Sequence, residues 1–107
     1  MGQVVQLFPG AGNPNTEKLQ AFKRGLEKGV VMVVLDARRP GVSVPSQFAK
    51  RPNLGLNYSY DYRLPDFAFD EQGVSATLSF DEGYFYCLVP WEAVYRVGDT
   101  VWQEDFP

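Results

Sequence analysis

The sequence predicts an α+β domain in which an N-terminal helix precedes a small, bent, partly open β-barrel. Two features predict it: one helical stripe of apolar residues near the N-terminus, and several short strand-like segments separated by turn residues. The 107 residues fit a single domain, and the apolar share of 45% supports a packed core without a metal or disulfide. We divide the chain into a flexible lead-in (1–13), a folded domain (14–97) and an acidic tail (98–107).

The helix is predicted to run from about Pro14 to Lys28, with Gly29 as its stop. Its apolar residues fall three and four positions apart, so they lie on one face. This stripe consists of Leu19, Phe22 and Leu26.

A lone helix must cover its own sheet or a partner, and we expect the stripe to form the contact of a homodimer. Gly25 costs about 1 kcal/mol of helix propensity relative to alanine. A close approach of two helices at this position would explain why a glycine is tolerated there.

The segments that follow predict strands and turns. Residues 30–35 form a continuous, largely β-branched run that is typical of a strand buried on both faces. Residues 46–50 predict one helical turn capped by Ser46. Residues 54–60 alternate apolar and polar side chains, as a half-buried strand does.

The second half of the chain resembles a meander of short strands. Residues 67–69 form one strand, and residues 74–80 show the clearest alternation in the chain. Residues 84–89 form the next strand, which Pro90 ends. Residues 91–97 predict either a last strand or a short helical turn.

Composition disfavours several classes of function. The chain has no histidine and one cysteine, Cys87, so nothing assembles a nucleophile with a base or the usual ligands of a metal. We therefore expect no enzyme activity and no cofactor. The net charge of −3 disfavours binding to nucleic acid. No segment has the pattern of a signal peptide or the length of a membrane span, so we expect a cytoplasmic protein.

Aromatic residues are dense after residue 57. Tyr58, Tyr60 and Tyr62 would share one face if this segment were extended. Such a face suits either a core or a surface that binds a peptide, and the sequence leaves both readings open.

Residues 36–49 read DARRPGVSVPSQFA. Here the chain resembles the stringent starvation protein B family, which has a Pro-Gly-Val-x-Val-Pro core after an acidic residue that ends an apolar strand. Neighbouring pieces match in the same order, including the Leu-x-x-Phe of the helix, a Leu-Asn strand at Leu56 and a Val-Pro step at Val89. The resemblance covers roughly residues 16–97.

The resemblance implies a function that composition does not. Members of this family are adaptors that bind the ssrA degradation tag and deliver tagged proteins to the ClpX unfoldase of the ClpXP protease. It implies a fold similar to Sm proteins, a homodimer made by the helix, and a groove that holds the tag extended. An extended peptide is recognised through main-chain hydrogen bonds and pockets for alternate side chains. The expected groove residues are Phe48, Leu56, Tyr58, Val74, Ala76, Leu78 and Phe80.

Two departures from the family pattern bear on this expectation. Residues 98–107 are acidic, whereas family members often carry a basic and apolar tail that docks on ClpX. The polar positions of the alternating strand, Ser75, Thr77 and Ser79, are short where familiar members have longer or basic side chains. The alternatives are a dimeric scaffold that recognises another protein segment and an Sm-like RNA-binding module.

Overall fold

The computed structural model describes residues 14–102. One helix, α1, precedes seven strands in two antiparallel sheets, which confirms the α+β prediction. The described strands do not close into a barrel. The predicted lead-in (1–13) and residues 103–107 of the predicted tail lie outside the described residues. The elements are α1 (Pro14–Lys28), β1 (Val31–Leu35), β2 (Leu54–Tyr58), β3 (Ala68–Phe69), β4 (Gly73–Phe80), β5 (Gly83–Pro90), β6 (Val94–Val97) and β7 (Thr100–Val101).

The larger sheet has the strand order β2-β1-β6-β7. Strand β1 lies between β2 and β6 and pairs antiparallel with both, with Val33 opposite Leu56 on one side and Val97 on the other. Strand β2 is therefore an edge of this sheet. Burial of alternate residues in both β1 and β2 shows that one face of each strand covers the core.

The smaller sheet has the order β3-β4-β5, and β4 pairs with β5 along its whole length. The alternation predicted for residues 74–80 is present, because every second side chain of β4 is buried. Gly83 begins β5 with a φ of 129°, a conformation that side chains disfavour and glycine permits.

The helix packs its apolar stripe against its own sheets. Leu19, Phe22 and Leu26 are all buried within the chain. This corrects the expected dimer contact, because the three side chains are not available to a partner in this arrangement. Gly25 also has a different explanation from the one we expected: a Cβ added there would lie 2.5 Å from Val31 Cγ2, so the glycine permits close packing of the helix on β1.

Three short 3₁₀ turns connect the strands. Residues Ser46–Phe48 form the predicted turn, but Pro45 precedes it as the cap residue and no side chain caps it. The expectation that Ser46 is the cap was therefore wrong. Trp91–Ala93 is a 3₁₀ turn that leads directly into β6, so both elements predicted for residues 91–97 occur in succession.

The tyrosine segment is not extended throughout. Strand β2 ends at Tyr58, and the Ser59 hydroxyl accepts a hydrogen bond from the Asp61 N–H at 3.2 Å, which starts the 3₁₀ turn Tyr60–Tyr62. Tyr58 is fully buried, whereas Tyr60 and Tyr62 are about half exposed. The three tyrosines therefore do not share one face.

Part of the segment predicted as a tail belongs to the larger sheet. Strand β7 pairs with β6, and the Trp102 N–H donates to the Tyr95 carbonyl at 2.8 Å. The indole N–H of Trp102 donates to Glu17 Oε1 of α1 at 2.9 Å. These bonds attach residues 100–102 to both the sheet and the helix.

Candidate functional site: a cleft between two strand edges

A cleft of about 780 Å³ runs between the two sheets. One wall is β2 and the opposite wall is the second half of β4. The segment 62–65, between the tyrosine turn and β3, also lines it. Its lining residues are Gly55, Leu56, Asn57, Tyr62, Arg63, Leu64, Pro65, Thr77, Leu78, Ser79, Phe80 and Tyr84.

The β2 wall presents main-chain groups that none of the described strands pairs. In an antiparallel pair, alternate residues turn their N–H and C=O groups toward the partner and away from it. The Gly98 N–H donates to the Met32 carbonyl at 2.8 Å, so the main-chain groups of Met32 face β6. Asn57 lies opposite Met32 in β2, so its own main-chain groups face away from β1, toward the outer edge of the sheet. By the same alternation, Gly55 faces outward, and both Gly55 and Asn57 line the cleft.

The β4 wall has a second free edge. Strand β3 pairs only with Val74 and Ser75 of β4. Further along, the Thr77 N–H donates to the Pro65 carbonyl at 3.1 Å, so the main-chain groups of Thr77 face away from β5. The same holds for the other odd-numbered residues of β4. Ser79 has the same orientation and lies beyond both contacts, so its N–H and C=O face the cleft.

The cleft continues past Phe80 and Tyr84 into a second depression of about 240 Å³. The rings of Phe48 and Phe80 lie 5.5 Å apart between centroids, and Gln47 Nε2 donates to Glu82 Oε1 at 2.7 Å beside them. This connection lengthens the surface that an extended ligand would follow.

The predicted groove residues fall into two groups. Leu56, Leu78 and Phe80 line the cleft, and Phe48 packs against Phe80. Leu56 and Leu78 are at the same time buried members of the core, each 6% exposed. Tyr58, Val74 and Ala76 are buried in the core and do not line the cleft.

Sequence reasoning missed the residues that supply main-chain groups to the cleft. Asn57 and Ser79 occupy the polar positions of alternating strands, which predicts only that their side chains face away from the core. Whether their backbones are paired depends on strand order, which no local pattern encodes. No sequence pattern marked Arg63 as a residue of the site.

The titratable groups with shifted pKa values lie outside the cleft. Arg38 Nε and Nη2 donate to the Asp36 carboxylate at 2.8 and 3.0 Å, which lowers the pKa of Asp36 to about 2. Burial raises the pKa of the Cys87 thiol to about 11, so the thiol stays protonated at neutral pH.

Within residues 14–102, no group of three or more histidine, cysteine, aspartate or glutamate side chains is arranged to hold a metal ion. None of the described helices is long and apolar enough to cross a membrane.

No protein-family model and no curated protein sequence matches this chain.

Proposed function

We propose that this protein is a non-enzymatic adaptor that binds an extended degradation tag of the ssrA kind in the cleft and delivers tagged proteins to the ClpXP protease. One observation carries the peptide-binding part. Two strand edges, at β2 and at β4, face a single cleft with main-chain groups that no strand within residues 14–102 pairs. Exposed strand edges are the surfaces to which extended peptides add.

A peptide in this cleft binds as an additional strand. Its main-chain groups pair with Gly55 and Asn57 on one side and reach Ser79 on the other. Alternate side chains of the peptide point toward the apolar atoms of Leu56 and Leu78, and the others point to solvent. Recognition through the main chain supplies affinity, and the floor of the cleft selects side chains of suitable size.

The identity of the ligand and of the protease comes from the resemblance to the stringent starvation protein B family. The order of one helix followed by antiparallel strands is compatible with that family and with its similarity to Sm proteins. A cytoplasmic location belongs to the same proposal, since ClpXP acts there. A homodimer also remains part of it, with a contact on the exposed face of α1, around Lys23 and Glu27, in place of the buried stripe.

The same cleft geometry suits a scaffold that recognises a segment of another protein. Main-chain pairing is common to both functions, so the ligand and the delivery to ClpXP distinguish them. An RNA-binding module is less well supported, because Arg63 is the one basic residue among those that line the cleft.

The first test is fluorescence anisotropy of a labelled ssrA-type peptide titrated with the protein and with two variants of Asn57. Asn57→Pro removes the main-chain donor at the free edge of β2 and leaves every internal hydrogen bond of the strand pair in place. Asn57→Ala removes only the side chain and is the matched control. We expect saturable binding that is at least about fivefold weaker in Asn57→Pro and nearly unchanged in Asn57→Ala, because one main-chain hydrogen bond is lost.

A second measurement separates the adaptor from the scaffold. Degradation of an ssrA-tagged reporter protein by ClpXP is followed at limiting reporter concentration, with and without this protein. Faster degradation supports delivery to the protease. Peptide binding without faster degradation favours the scaffold, and no binding of the peptide at all contradicts the proposal.

A further inference from the structure

We infer that the segment bound in the cleft carries a carboxylate that pairs with Arg63. This inference rests on the proposed peptide-binding function and specifies the chemistry of the ligand. Three independent features of Arg63 support it: its isolation as a charge, its backbone conformation and the rigid frame that holds it.

Arg63 is the one charged residue among those that line the cleft. No carboxylate of the described residues lies within ion-pair distance of its guanidinium, whereas Arg38 and Arg39 both pair with Asp36. Arg63 is thus the one charge of the main cleft, and Glu82 is the one charge among the residues that line the adjoining depression. A cationic group at this place in the main cleft favours an anionic group of the ligand beside it.

The backbone of Arg63 adopts the left-handed conformation, with φ of 53° and ψ of 48°. This conformation is unfavourable for most residues with a Cβ, and glycine or asparagine commonly occupies it. Glycine would fit the turn with less strain than arginine, and Asp66 carries a similar cost with a φ of 56°. Backbone strain of this kind clusters at ligand-binding sites.

The frame around Arg63 is fixed on both sides. Its own N–H donates to the Tyr60 carbonyl at 3.1 Å, which ends the tyrosine turn. Two residues later the Pro65 carbonyl accepts the Thr77 N–H from β4, and between them Leu64 packs against the core. The position of the Arg63 Cα is thus set by both sheets before any ligand binds.

The guanidinium presents a planar fork of donors that matches a carboxylate in a bidentate manner. Two sources supply such a group in a peptide: an aspartate or glutamate side chain, or the C-terminal carboxylate. Either carboxylate can pair with the guanidinium of Arg63 in this way, so the experiment must distinguish the two sources.

The test uses labelled ssrA-type peptides in which carboxylates are removed one class at a time. One has its acidic residues replaced by the matching amides, another has an amidated C-terminus, and a third has both changes. We expect the peptide that lacks the recognised carboxylate to bind the wild-type protein about five- to tenfold more weakly than the parent peptide does. The same change should have almost no effect on binding to Arg63→Gln.

Two further variants exclude simpler explanations. Arg24→Gln changes the net charge by the same amount on the exposed face of α1, far along the chain from the cleft, and should keep full discrimination between the peptides. Arg63→Gly relieves the left-handed strain, so it should be at least as heat-stable as the wild type and still lose discrimination.

The outcomes separate this inference from the proposed function. Equal affinity of the wild type for all four peptides overturns the inference while leaving peptide binding in place. Discrimination that survives in Arg63→Gln also overturns it, because another group would then read the carboxylate. Absence of saturable binding by every peptide contradicts the proposed function, and the inference falls with it.

Discussion

Phe22 of α1 packs edge-to-face against Tyr58 of β2, with ring centroids 5.4 Å apart and an angle of 78° between the ring planes. Both side chains are fully buried, and Phe22 also contacts the rings of Phe69 and Trp91. This aromatic cluster joins the helix to both sheets. It therefore fixes β2 of the larger sheet relative to β3 of the smaller one.

The Tyr58 hydroxyl is buried and has no hydrogen-bond partner among the described residues. A buried polar group without a partner is destabilising, so Tyr58→Phe should raise the free energy of unfolding by about 1 kcal/mol. Phe22→Ala, which empties the centre of the same cluster, should lower it by about 4 kcal/mol. Urea denaturation of the three proteins measures both values. A marked loss of stability in Tyr58→Phe would show that the hydroxyl is bonded after all.

Gly25 should not tolerate alanine, although alanine is the better helix former. Helix propensity alone predicts a gain of about 1 kcal/mol from Gly25→Ala. The added methyl group would lie 2.5 Å from Val31 Cγ2 and 2.6 Å from Val31 Cβ, so we expect a net loss of about 1–3 kcal/mol.

Thermal unfolding of Gly25→Ala and of the double variant with Val31→Ala tests this explanation. The second substitution removes the close contact with Val31 Cγ2 but keeps the one with Val31 Cβ, so the loss caused by the added methyl group should be smaller in the Val31→Ala background than in the wild type, without disappearing. Lys23→Ala, at an exposed position of the same helix, is the control for propensity. A stabilised Gly25→Ala would contradict close packing of the helix on β1.

Ala76→Gln should act on the fold and not on the cleft. Ala76 is fully buried and lies opposite Cys87. Glutamine adds volume and an unpaired amide to a packed site, so we expect a loss of about 3 kcal/mol or more in the free energy of unfolding. Ser79→Gln adds the same side chain at an exposed position of β4 and should change stability by less than about 0.5 kcal/mol. Equal stabilities of the two variants, measured by urea denaturation, would refute the placement of Ala76.

Asp36 should make stability depend on pH in acid. Its pKa is lowered to about 2 in the folded state by the Arg38 side chain, against a usual value of 3.8. Since the folded pKa is lower, the stabilisation is complete above about pH 4 and is lost as the pH falls through 2. Arg38 is about half exposed, so screening by water makes the effect on stability smaller than the pKa shift alone implies.

Comparison of wild type with Asp36→Asn between pH 6 and pH 2 isolates this contribution. The difference in free energy of unfolding between the two proteins should shrink as the pH falls through this window. A constant difference across the whole range would show that the ion pair does not set the pKa of Asp36.

Cys87 should resist thiol reagents in the folded protein. Its side chain is fully buried, and burial raises the pKa of the thiol to about 11, so little reactive thiolate forms at neutral pH. We expect labelling by Ellman's reagent at a rate that follows unfolding, and rapid labelling in denaturant. Fast labelling under native conditions would place the thiol at the surface.

The sequence by itself determined most of the elements and the buried faces of α1 and β4. The burial of both faces predicted for residues 30–35 was wrong, because Met32 is 45% exposed. The spacing of Leu19, Phe22 and Leu26 dictates a one-sided helix, and the alternation from Val74 to Phe80 dictates a strand with one face in the core. These patterns are local, because helix and strand periods act on neighbouring residues. The same reasoning correctly gave the α+β class and the positions of most strands.

Only the tertiary structure decided what those faces meet. It placed Ala76 in the core and packed the apolar stripe of the helix against the chain's own sheets. Burial depends on which elements pack together and not on the pattern of each element. It also left the backbones of Asn57 and Ser79 facing one cleft without a partner strand among the described residues. Strand order arises from contacts between residues far apart in the chain, and local sequence patterns do not specify it.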